Sequence, residues 1–428
     1  MKRNTLLDLL LLTSCVVGLL AGAGLAQTTE PVFSGKIQTT PIPAEYKDPE
    51  TGLRIVHLSR FRSDYGSVIY FTYNTFSADS GVALINAQYK DKWRQLYTFD
   101  FGSMTVSALV TNRLTQNQVV VAKSGHVYYQ ADHAVWVVPL KGGTPRKLCD
   151  LPVRWFPGTG FTVNADETLL LGGSADPEPS ETAKPGAKAS RSDPNVIFTV
   201  SLKTGELKII HRDNYWFGHA QFSPTDPDLA MFCHEGNWEM VDRIWFINPS
   251  KSSMNAAGKV TSNARIAYHR AEPGEIVGHE FWHPDGKTIW FQQSYRKGPR
   301  RGTGYLTSME VATGRITQYT VPDGFGGIHE TFSPDGTFMV ADGNGKGKTG
   351  PGKYISKLTI PVDGSTVLKG EHLVSLQVHD YVVEPNPHIS PDNRWVMFTA
   401  MLHGTPQAYA VELRGNGVTS HSERTGPR

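Results

Sequence analysis

The chain has 428 residues, of which 39% are hydrophobic and 19% charged, so it is long enough for one large core or for two or three domains. Its formal net charge is +2, and no run of Lys and Arg interleaved with aromatic residues stands out. A surface that binds a phosphate backbone needs such a run, so the sequence predicts no nucleic acid partner.

The first 26 residues have the pattern of a secretory signal peptide. A basic start from Met1 to Arg3 precedes a mostly apolar stretch from Leu9 to Leu20, and small residues end at Ala26. The phrase "LTSC", which ends at Cys15, also resembles a lipoprotein signal, which is the alternative. The residues after Cys15 stay apolar, however, where a lipoprotein would normally become polar. We therefore expect a periplasmic or secreted protein, and no later stretch is long and apolar enough to span a membrane.

A turn phrase recurs along the chain, in which an aromatic or apolar residue precedes Ser, Pro or Ala, Asp and then an apolar strand. Six copies begin at Phe76, Val163, Phe222, Trp282, Phe332 and Ile389. The irregular segment "VVVAKSGHVYYQADHAVWVV" fills the widest gap and makes a seventh unit. Units of about 45 to 60 residues with short alternating strands are typical of a propeller. The sequence thus predicts an all-β, seven-bladed β-propeller, with a set of β-sandwich domains as the alternative.

The repeat also predicts the domain organisation. After the signal peptide (1–26) we expect an N-terminal extension (27–50), the propeller (51–414) and a disordered tail (415–428). A strand from Leu53 to Arg60 is expected to complete the last blade and close the ring. The low-complexity stretch 174–194 is expected to be a solvated insertion within one blade.

Three histidines occupy the same position in three consecutive repeats. Counting three residues back from the residue that opens the turn phrase gives His219, His279 and His329. In a propeller this position lies near the start of the innermost strand, so we expect the three side chains to face the central channel. One such histidine would be structural by default, but three together predict a site that binds a cation or exchanges protons.

The remaining repeats have other residues at this position. The first and third have Tyr73 and Gly160, and the last has Asn386. The two-residue period of a strand places Glu384, Asn386 and His388 on one face of "EPNPHISP". We therefore expect this face of the last blade to turn towards the channel as well.

A second polar cluster lies in "FCHEGNWEMVDRIWFIN". His234 and Glu235 are expected to end one strand, and Asp242 and Arg243 to begin the next, so that a guanidinium would reach the mouth of the channel. Arginine suits a carboxylate ligand because its planar fork forms two parallel hydrogen bonds. The alternative is an ion pair of Asp242 or Glu235 that stabilises the blade.

These phrases resemble the oligogalacturonate lyases, a polysaccharide lyase family with a seven-bladed propeller. The resemblance is carried by "TGELKIIHRDNYWFGHAQFSP", "FCHEGNWEMVDRIWFIN", "GHEFWHPDG" and "IHETFSPDG". It extends over residues 51–413 and is specific mainly between 204 and 343. A TolB-like propeller would share the "FSPDG" phrases but not the "CHEG" and "HEFW" segments.

The resemblance implies roles for three residues. The histidine of the "HEFW" phrase is the family's base, which corresponds to His279. The arginine after "VD" assists at the substrate carboxylate and corresponds to Arg243. The histidine of the following blade is a manganese ligand and corresponds to His329. The polar residues around them are predicted to bind substrate: His219, His234, Glu235, Tyr381 and His388.

The last blade departs from the family pattern. The family has a Gln-x-x-His-x-His phrase of metal ligands, where this chain has Tyr381, Glu384 and Asn386. Oxygen ligands still suit a hard cation, so we predict a divalent cation site formed by His329, Glu384 and Asn386. The resemblance implies Mn²⁺, Ca²⁺ is the alternative, and loss of the metal is equally open.

The resemblance implies an exported polysaccharide lyase that cleaves uronate-containing oligosaccharides by β-elimination, with an acidic oligosaccharide as its partner. The alternative is an exported propeller that binds a glycan or a protein without catalysis, because the fold supports many functions. A hydrolase lacks support, since no paired carboxylates or nucleophilic Ser motif stands out against the repeat. Nothing in the sequence defines an oligomeric state.

Overall fold

The computed structural model describes residues 42–60, 65–88, 95–110, 118–177, 193–343 and 353–413. The predicted signal peptide, most of the low-complexity insertion and the predicted tail lie outside these residues. Across the described ranges, no helix has the length and apolar character needed to cross a membrane.

Two strands precede the first blade along the chain and belong to the last one, namely β1 (Glu45–Lys47) and β2 (Arg54–His57). Blade 1 comprises β3 (Tyr65–Ser67), β4 (Val82–Gln88), β5 (Gln95–Asp100) and β6 (Thr105–Val110). Blade 2 comprises β7 (Val119–Val121), β8 (His126–Ala131), β9 (Ala134–Pro139) and β10 (Arg146–Asp150). Blade 3 comprises β11 (Phe156–Pro157), β12 (Thr162–Val163), β13 (Leu169–Ala175), β14 (Asn195–Ser201) and β15 (Leu207–Asp213).

Blade 4 begins with β16 (Phe217–Phe222), β17 (Ala230–His234) and β18 (Ile244–Ile247). A 3-10 turn (Pro249–Lys251) and a two-stranded ribbon of β19 (Ser253–Met254) and β20 (Val260–Thr261) lead to its fourth strand, β21 (Arg265–Ile266). Blade 5 comprises β22 (Glu275–Trp282), β23 (Thr288–Tyr295), β24 (Gly304–Glu310) and β25 (Ile316–Tyr319). Blade 6 comprises β26 (Glu330–Phe332), β27 (Phe338–Asp342), β28 (Tyr354–Thr359) and β29 (Lys369–Ser375). Blade 7 begins with β30 (His388–Ile389), β31 (Trp395–Ala400) and β32 (Gln407–Glu412).

The seven sheets confirm the predicted seven-bladed propeller. Each blade is an antiparallel meander. The first strands of neighbouring blades contact one another; for example, β22 contacts β26, and β26 contacts β30. Blade 7 has the order β30-β31-β32-β2-β1, in which Ile55 pairs with Val411 and His57 with Tyr409. The expected N-terminal strand therefore closes the ring.

The core consists of seven apolar clusters within the described residues, one between each pair of adjacent blades. Strand alternation explains this arrangement, because successive side chains point to opposite faces of a blade. In β31, Val396 and Phe398 pack against blade 6, whereas Met397 packs against blade 1. Every blade is therefore buried on both faces by its neighbours.

The recurring turn phrase has a clear structural role. In blade 6 the Ser333 hydroxyl donates to Asp335 Oδ1 at 2.6 Å, and the Phe338 N–H donates back to Ser333 Oγ at 3.2 Å. Blade 7 has the same pair of bonds at Ser390, with the Trp395 N–H as donor at 2.8 Å. The Ser and Asp of the phrase thus fix the turn that starts the second strand of the blade.

The low-complexity insertion joins β13 to β14 in blade 3. Ser174 and Ala175 belong to β13 and pair with Val196 and Asn195. The start of the insertion is therefore part of a paired strand, its last two residues directly precede β14, and residues 178–192 lie outside the described ranges.

Candidate active site

The three histidines of blades 4, 5 and 6 lie together. His219 belongs to β16, His279 to β22, and His329 directly precedes β26. The rings of His279 and His329 are 5.2 Å apart between centroids. Tyr70 of blade 1 connects the group, because its ring centroid lies 5.2 Å from that of His219 and 5.4 Å from that of His329. The pocket around these four rings is the candidate active site.

The backbone has an unusual conformation at the shared histidine position. His219, His279 and Asn386 have φ values of 51°, 52° and 49°, in the left-handed region that non-glycine residues rarely adopt. In β16 and β22 this residue coincides with a shift in strand register, as in a β-bulge. Such a conformation costs about 1–3 kcal/mol per residue and is concentrated at functional sites. The bulge re-aims the side chain that follows Gly218 or Gly278.

Those two glycines make room for the polar residues above the strand. A Cβ atom on Gly218 would lie 2.6 Å from Glu235 Oε1, and one on Gly278 would lie 2.6 Å from the Trp238 ring. The same Cβ of Gly278 would lie 3.4 Å from Arg243 Nε. The "GH" dipeptides of blades 4 and 5 therefore let the "CHEG…VDR" segment pack directly beside the histidines.

Gln292 of β23 fixes the orientation and tautomer of His279. The Gln292 amide nitrogen donates to Gly327 O at 2.7 Å and to Glu330 Oε1 at 2.9 Å, so its oxygen faces His279 Nδ1 at 3.1 Å. His279 Nδ1–H must donate to that oxygen, which leaves the lone pair on Nε2. Burial, with His329 beside it, holds the pKa of His279 well below its ordinary value. His279 is thus a neutral imidazole.

Asp342, at the end of β27, has the corresponding place beside His329. Its Oδ1 accepts the backbone N–H groups of Ile328 and His329, and its Oδ2 accepts His329 Nδ1–H at 2.9 Å. Burial opposes a charge on the ring, but Asp342 and Glu384 raise the pKa of His329 to about 9. His329 therefore carries a proton at neutral pH whenever nothing else binds its Nε2.

Arg243 directly precedes β18 and lies in the pocket, 1% exposed. Its Nη2 donates to Glu235 Oε2 at 2.8 Å, and its guanidinium lies 4.2 Å from the centre of the Trp238 ring. Its Nε and Nη1 have no hydrogen-bond partner among the described residues. Buried donors left unpaired are costly, so this side of the guanidinium is available to an acidic ligand.

His219 is held between carboxylates. Its Nδ1 lies 3.2 Å from Glu280 Oε1, and its Nε2 lies 3.6 Å from Glu235 Oε1 and 3.3 Å from the Tyr70 hydroxyl. Burial lowers the pKa of His219, but the hydrogen bond to Glu280 and both carboxylates outweigh it, and the pKa is raised above its ordinary value. These surroundings favour the protonated form of His219, which lies beside the same carboxylate, Glu235, as Arg243.

The three predicted metal ligands do not all face one point. His329 Nε2 and Glu384 Oε2 face each other 3.9 Å apart. Asn386 Oδ1 instead accepts the Phe71 N–H at 3.3 Å, and its amide nitrogen donates to the Glu384 carbonyl. Tyr381 donates its hydroxyl to Asp342 Oδ2 at 3.2 Å. Tyr381 therefore bonds to the carboxylate that holds His329, and Asn386 stabilises the backbone.

Two residues predicted to bind substrate lie outside this group. His388, 4% exposed, donates Nε2–H to the Ile69 carbonyl at 3.0 Å. The expected shared face of Glu384, Asn386 and His388 does not form, because the left-handed Asn386 breaks the strand alternation and β30 begins only at His388. His234 stacks on Trp245, with ring centroids 4.1 Å apart, on the other side of the strand end from Glu235.

An ion pair that stabilises the blade was the alternative role for Asp242 and Glu235, and the structure shows such an ion pair for Asp242. Asp242 accepts Arg270 Nε at 3.1 Å and His269 Nδ1 at 2.9 Å, so it ties the loop before β18 to the segment after β21. Glu235, by contrast, binds Arg243 inside the pocket. One acidic residue thus stabilises the blade and the other belongs to the site.

Two groups of potential ligand atoms occur in the described part of the chain. One, formed by His219, Cys233 and Glu280, belongs to the pocket. Its thiol suits a soft metal, and its His219–Glu280 pair is already hydrogen-bonded, so it is a poor match for manganese. The other group, His211, Asp213 and His234, lies between blades 3 and 4.

Sequence reasoning missed several residues that contact the candidate site. They are Tyr70, Trp238, Glu280, Gln292, Glu330 and Asp342. A signal existed for two of them, because Gln292 and Asp342 each follow the histidine of their blade by 13 residues and interrupt an apolar second strand. Tyr70 had no such signal, since blade 1 reaches the pocket only through closure of the ring.

The fold is a seven-bladed propeller, and its candidate site combines buried imidazoles, carboxylates and a guanidinium. The family model described as oligogalacturonate lyase matches residues 38–416, and the chain therefore belongs to that family. It is a lyase that acts on uronic acid oligosaccharides.

Relatives and solved structures agree with this membership. The chain is 26% identical over 394 residues to the oligogalacturonate lyase of Dickeya dadantii and to the oligogalacturonide lyase of Pectobacterium atrosepticum, covering 86% of this chain and 95% of each relative. Its fold is similar to that of the Vibrio parahaemolyticus oligogalacturonate lyase, with a TM-score of 0.70 and 20% identity over 87% of this chain and 96% of that one. An oligogalacturonate lyase in complex with manganese also has a TM-score of 0.70, with 22% identity over 89% of this chain and 99% of that one.

Proposed function

We propose that this protein cleaves short galacturonate chains by β-elimination, with His279 as the base and Arg243 on the substrate carboxylate. The observation that carries the proposal is that a neutral imidazole, His279, and a buried guanidinium, Arg243, both lie against the Trp238 ring. The Nε and Nη1 atoms of that guanidinium have no hydrogen-bond partner among the described residues. Gly278 brings the two together, because it precedes His279 and lies against Arg243.

The reaction removes the hydrogen at C5 of a uronate, next to its carboxylate. His279 Nε2 takes that proton, the electron pair of the C5–H bond becomes the C4–C5 double bond, and the C4–O bond breaks with its electrons on the leaving sugar oxygen. Negative charge develops on the carboxylate, where Arg243 stabilises it, together with His219 when that ring is protonated. A proton must then reach the leaving oxygen to complete the second product.

The charge state of His279 suits this step. A base must be unprotonated, and burial keeps this ring neutral in the free protein. A very low pKa also makes a weak base, but the substrate carboxylate brings a negative charge into the pocket and raises the pKa of the ring. Substrate binding would therefore strengthen the base where it is used.

The donor set beside the base fits a divalent cation. His329 directs Nε2 at the Glu384 carboxylate while Asp342 holds its other nitrogen, which is the usual support of a metal-binding histidine. We propose that His329 and Glu384 hold the ion, with Mn²⁺ favoured by the manganese complex of the similar structure. A bound cation would supply further positive charge for the substrate carboxylate.

We also propose that the protein is exported. The support is the basic, apolar and small-residue pattern of residues 1–26. Edman sequencing or mass spectrometry of the mature N-terminus after expression in a bacterial host would find cleavage after Ala26. An uncleaved chain that stays in the cytoplasm would contradict export.

The base assignment is tested by His279→Gln. The unsaturated product absorbs in the ultraviolet, and the rate of its formation from galacturonate oligosaccharides should fall by roughly a thousandfold, since a general base contributes about 10² to 10⁴. The matched control is His283→Gln, four residues further on, because His283 bonds to Asp285 in the turn outside the pocket. Near-normal activity of a folded His279→Gln variant would refute the assignment.

A further inference from the structure

A second group of imidazole and carboxylate side chains lies between blades 3 and 4. His211 and Asp213 are two residues apart in β15, so they face the same side of that strand. His234 ends β17 of the next blade. One ligand atom from each residue lies within 4.8 Å of the other two. The group thus joins the outermost strand of one blade to the second strand of its neighbour.

The two histidines of this group have unsatisfied nitrogens. His211 is 8% exposed and His234 is 4% exposed, and the Nε2 atom of each is buried without a hydrogen-bond partner in the described residues. A buried polar atom of this kind destabilises the fold unless something binds it. Burial also lowers the pKa of both rings, that of His234 to about 4, so neither carries a charge at neutral pH.

Neighbouring residues hold both rings in fixed orientations. Ser262 Oγ lies 2.9 Å from His211 Nδ1, so that Nδ1–H can donate to the hydroxyl and leave the lone pair on Nε2. His234 is sandwiched between Trp245, at 4.1 Å and 13°, and Tyr215, at 5.1 Å and 23°. Preset ring orientations of this kind are typical of metal ligands.

We propose that His211, Asp213 and His234 bind a divalent transition metal ion of the Zn²⁺ class. Two imidazole nitrogens and one carboxylate favour such an ion over Mg²⁺ or Ca²⁺, which prefer oxygen ligands alone. Asp213 is partly exposed, so the ion would reach the group from solvent and water would complete its coordination.

This metal site is separate from the catalytic pocket but adjoins it in sequence. His234 precedes Glu235, which binds Arg243, and the His234 N–H donates to the Arg243 carbonyl at 2.8 Å. The ion would clamp β15 to β17 and thereby fix the strand end from which Glu235 and Arg243 reach the substrate. Its role is to position these residues, since none of its ligands faces the pocket.

The test uses the full chain without a histidine tag, stripped of metal with a chelator and titrated with Co²⁺ and Zn²⁺. Co²⁺ reports nitrogen and oxygen ligands through its visible absorption, and calorimetry gives the number of Zn²⁺ equivalents. The variants are His211→Gln, Asp213→Asn and, for the catalytic pocket, His329→Gln. The matched control is Asp150→Asn, because Asp150 also ends the outermost strand of its blade and is exposed.

Besides any Zn²⁺ bound at His329, we expect one Zn²⁺ equivalent that persists in the His329→Gln and Asp150→Asn variants. His211→Gln should abolish it, and Asp213→Asn should weaken it at least tenfold. Asp213→Asn keeps the shape of a partly exposed side chain, so the test stands even if His211→Gln does not fold. Unchanged Zn²⁺ affinity in Asp213→Asn, or binding that only His329→Gln removes, would overturn the proposal.

Discussion

His279 and His329 occupy the same position in adjacent blades, yet their charge states are opposite. Each ring uses Nδ1 to bind a residue of the second strand of its blade, Gln292 at 3.1 Å or Asp342 at 2.9 Å. Burial, which the hydrogen bond to the amide does not offset, holds the pKa of His279 well below its ordinary value. Burial opposes a charge on His329 too, but Asp342 and Glu384 raise its pKa to about 9. One scaffold position therefore holds a neutral imidazole in one blade and a cationic imidazole in the next, where a carboxylate replaces the amide and Glu384 lies nearby.

The strongest test of this comparison replaces the amide that bonds to His279 Nδ1 with a carboxylate. In the double variant Gln292→Glu with Glu330→Gln, a carboxylate would face His279 while the new amide donates to it. We expect the pKa of His279 to move towards that of His329. A base is active when unprotonated, so activity near pH 7 should fall about 100-fold and recover as the pH rises towards 9.

The measurement is kcat/KM against pH, followed at the ultraviolet absorbance of the unsaturated product. The single variant Glu330→Gln is the control, because it removes the carboxylate with a pKa of about 7 without placing a charge at His279. An acidic limb at the same pH in the double variant and the wild type would contradict the role given to Gln292.

The converse change, Asp342→Asn, should weaken the cation site. It removes the carboxylate that orients His329, and loss of such a supporting residue typically lowers metal affinity or activity by about 10- to 100-fold. Calorimetric titration with Mn²⁺ measures the effect. Asp335→Asn is the matched control, because Asp335 is a turn carboxylate of the same blade that binds Ser333 and Thr337. Equal Mn²⁺ affinity in both variants would exclude a ligand role for His329.

A smaller effect is expected from Gly278→Ala. The added methyl group would lie 2.6 Å from the Trp238 ring and must displace it together with Arg243. Overpacking costs about 1–3 kcal/mol, so we expect a loss of about tenfold in kcat/KM. Gly304→Ala in the same blade is the control, since its new methyl group would meet no atom closer than 3.8 Å. Similar kinetics for both variants would show that Trp238 does not position the guanidinium.

The smallest effect concerns the same repeat position in blade 1. The Tyr73 hydroxyl accepts the Gly160 N–H at 3.0 Å and lies 3.0 Å from Thr159 Oγ1, so this residue joins blades 1 and 3 instead of entering the chemistry. Tyr73→Phe should lower the free energy of unfolding by about 1 kcal/mol, as measured with denaturant, and leave kcat/KM within twofold. A large loss of activity with normal stability would show that Tyr73 takes part in substrate binding or catalysis.

The fold was predictable because the same local sequence pattern recurs in successive blades. The Ser and Asp of the turn phrase bond to the start of the second strand, and alternating apolar residues face the two neighbouring blades. These local patterns recur at a spacing that a propeller explains. The strand that closes the ring was also predictable, because it is an apolar segment without a turn phrase of its own.

The site was only partly predictable. The register placed His219, His279 and His329 together, and the resemblance selected Arg243. The left-handed conformation of Asn386 could not be foreseen, because it depends on contacts with blade 1 through the Phe71 N–H. Because of that conformation, His388 does not share a face with Glu384 and Asn386, although the strand period had predicted that it would. Tyr70 was missed for a similar reason, since it reaches His219 across the channel.

Closure of the ring sets the order in which the protein can become active. Glu384 precedes β30, and blade 7 is complete only when β2, made early in synthesis, pairs with β32, made last. Pairings between such distant parts of a chain form slowly, because the intervening loop entropy must be lost first. A growing chain that already contains His279 and Arg243 would still lack Glu384 and the fixed position of Tyr70. Lyase activity should therefore arise late and abruptly, as the last event of folding.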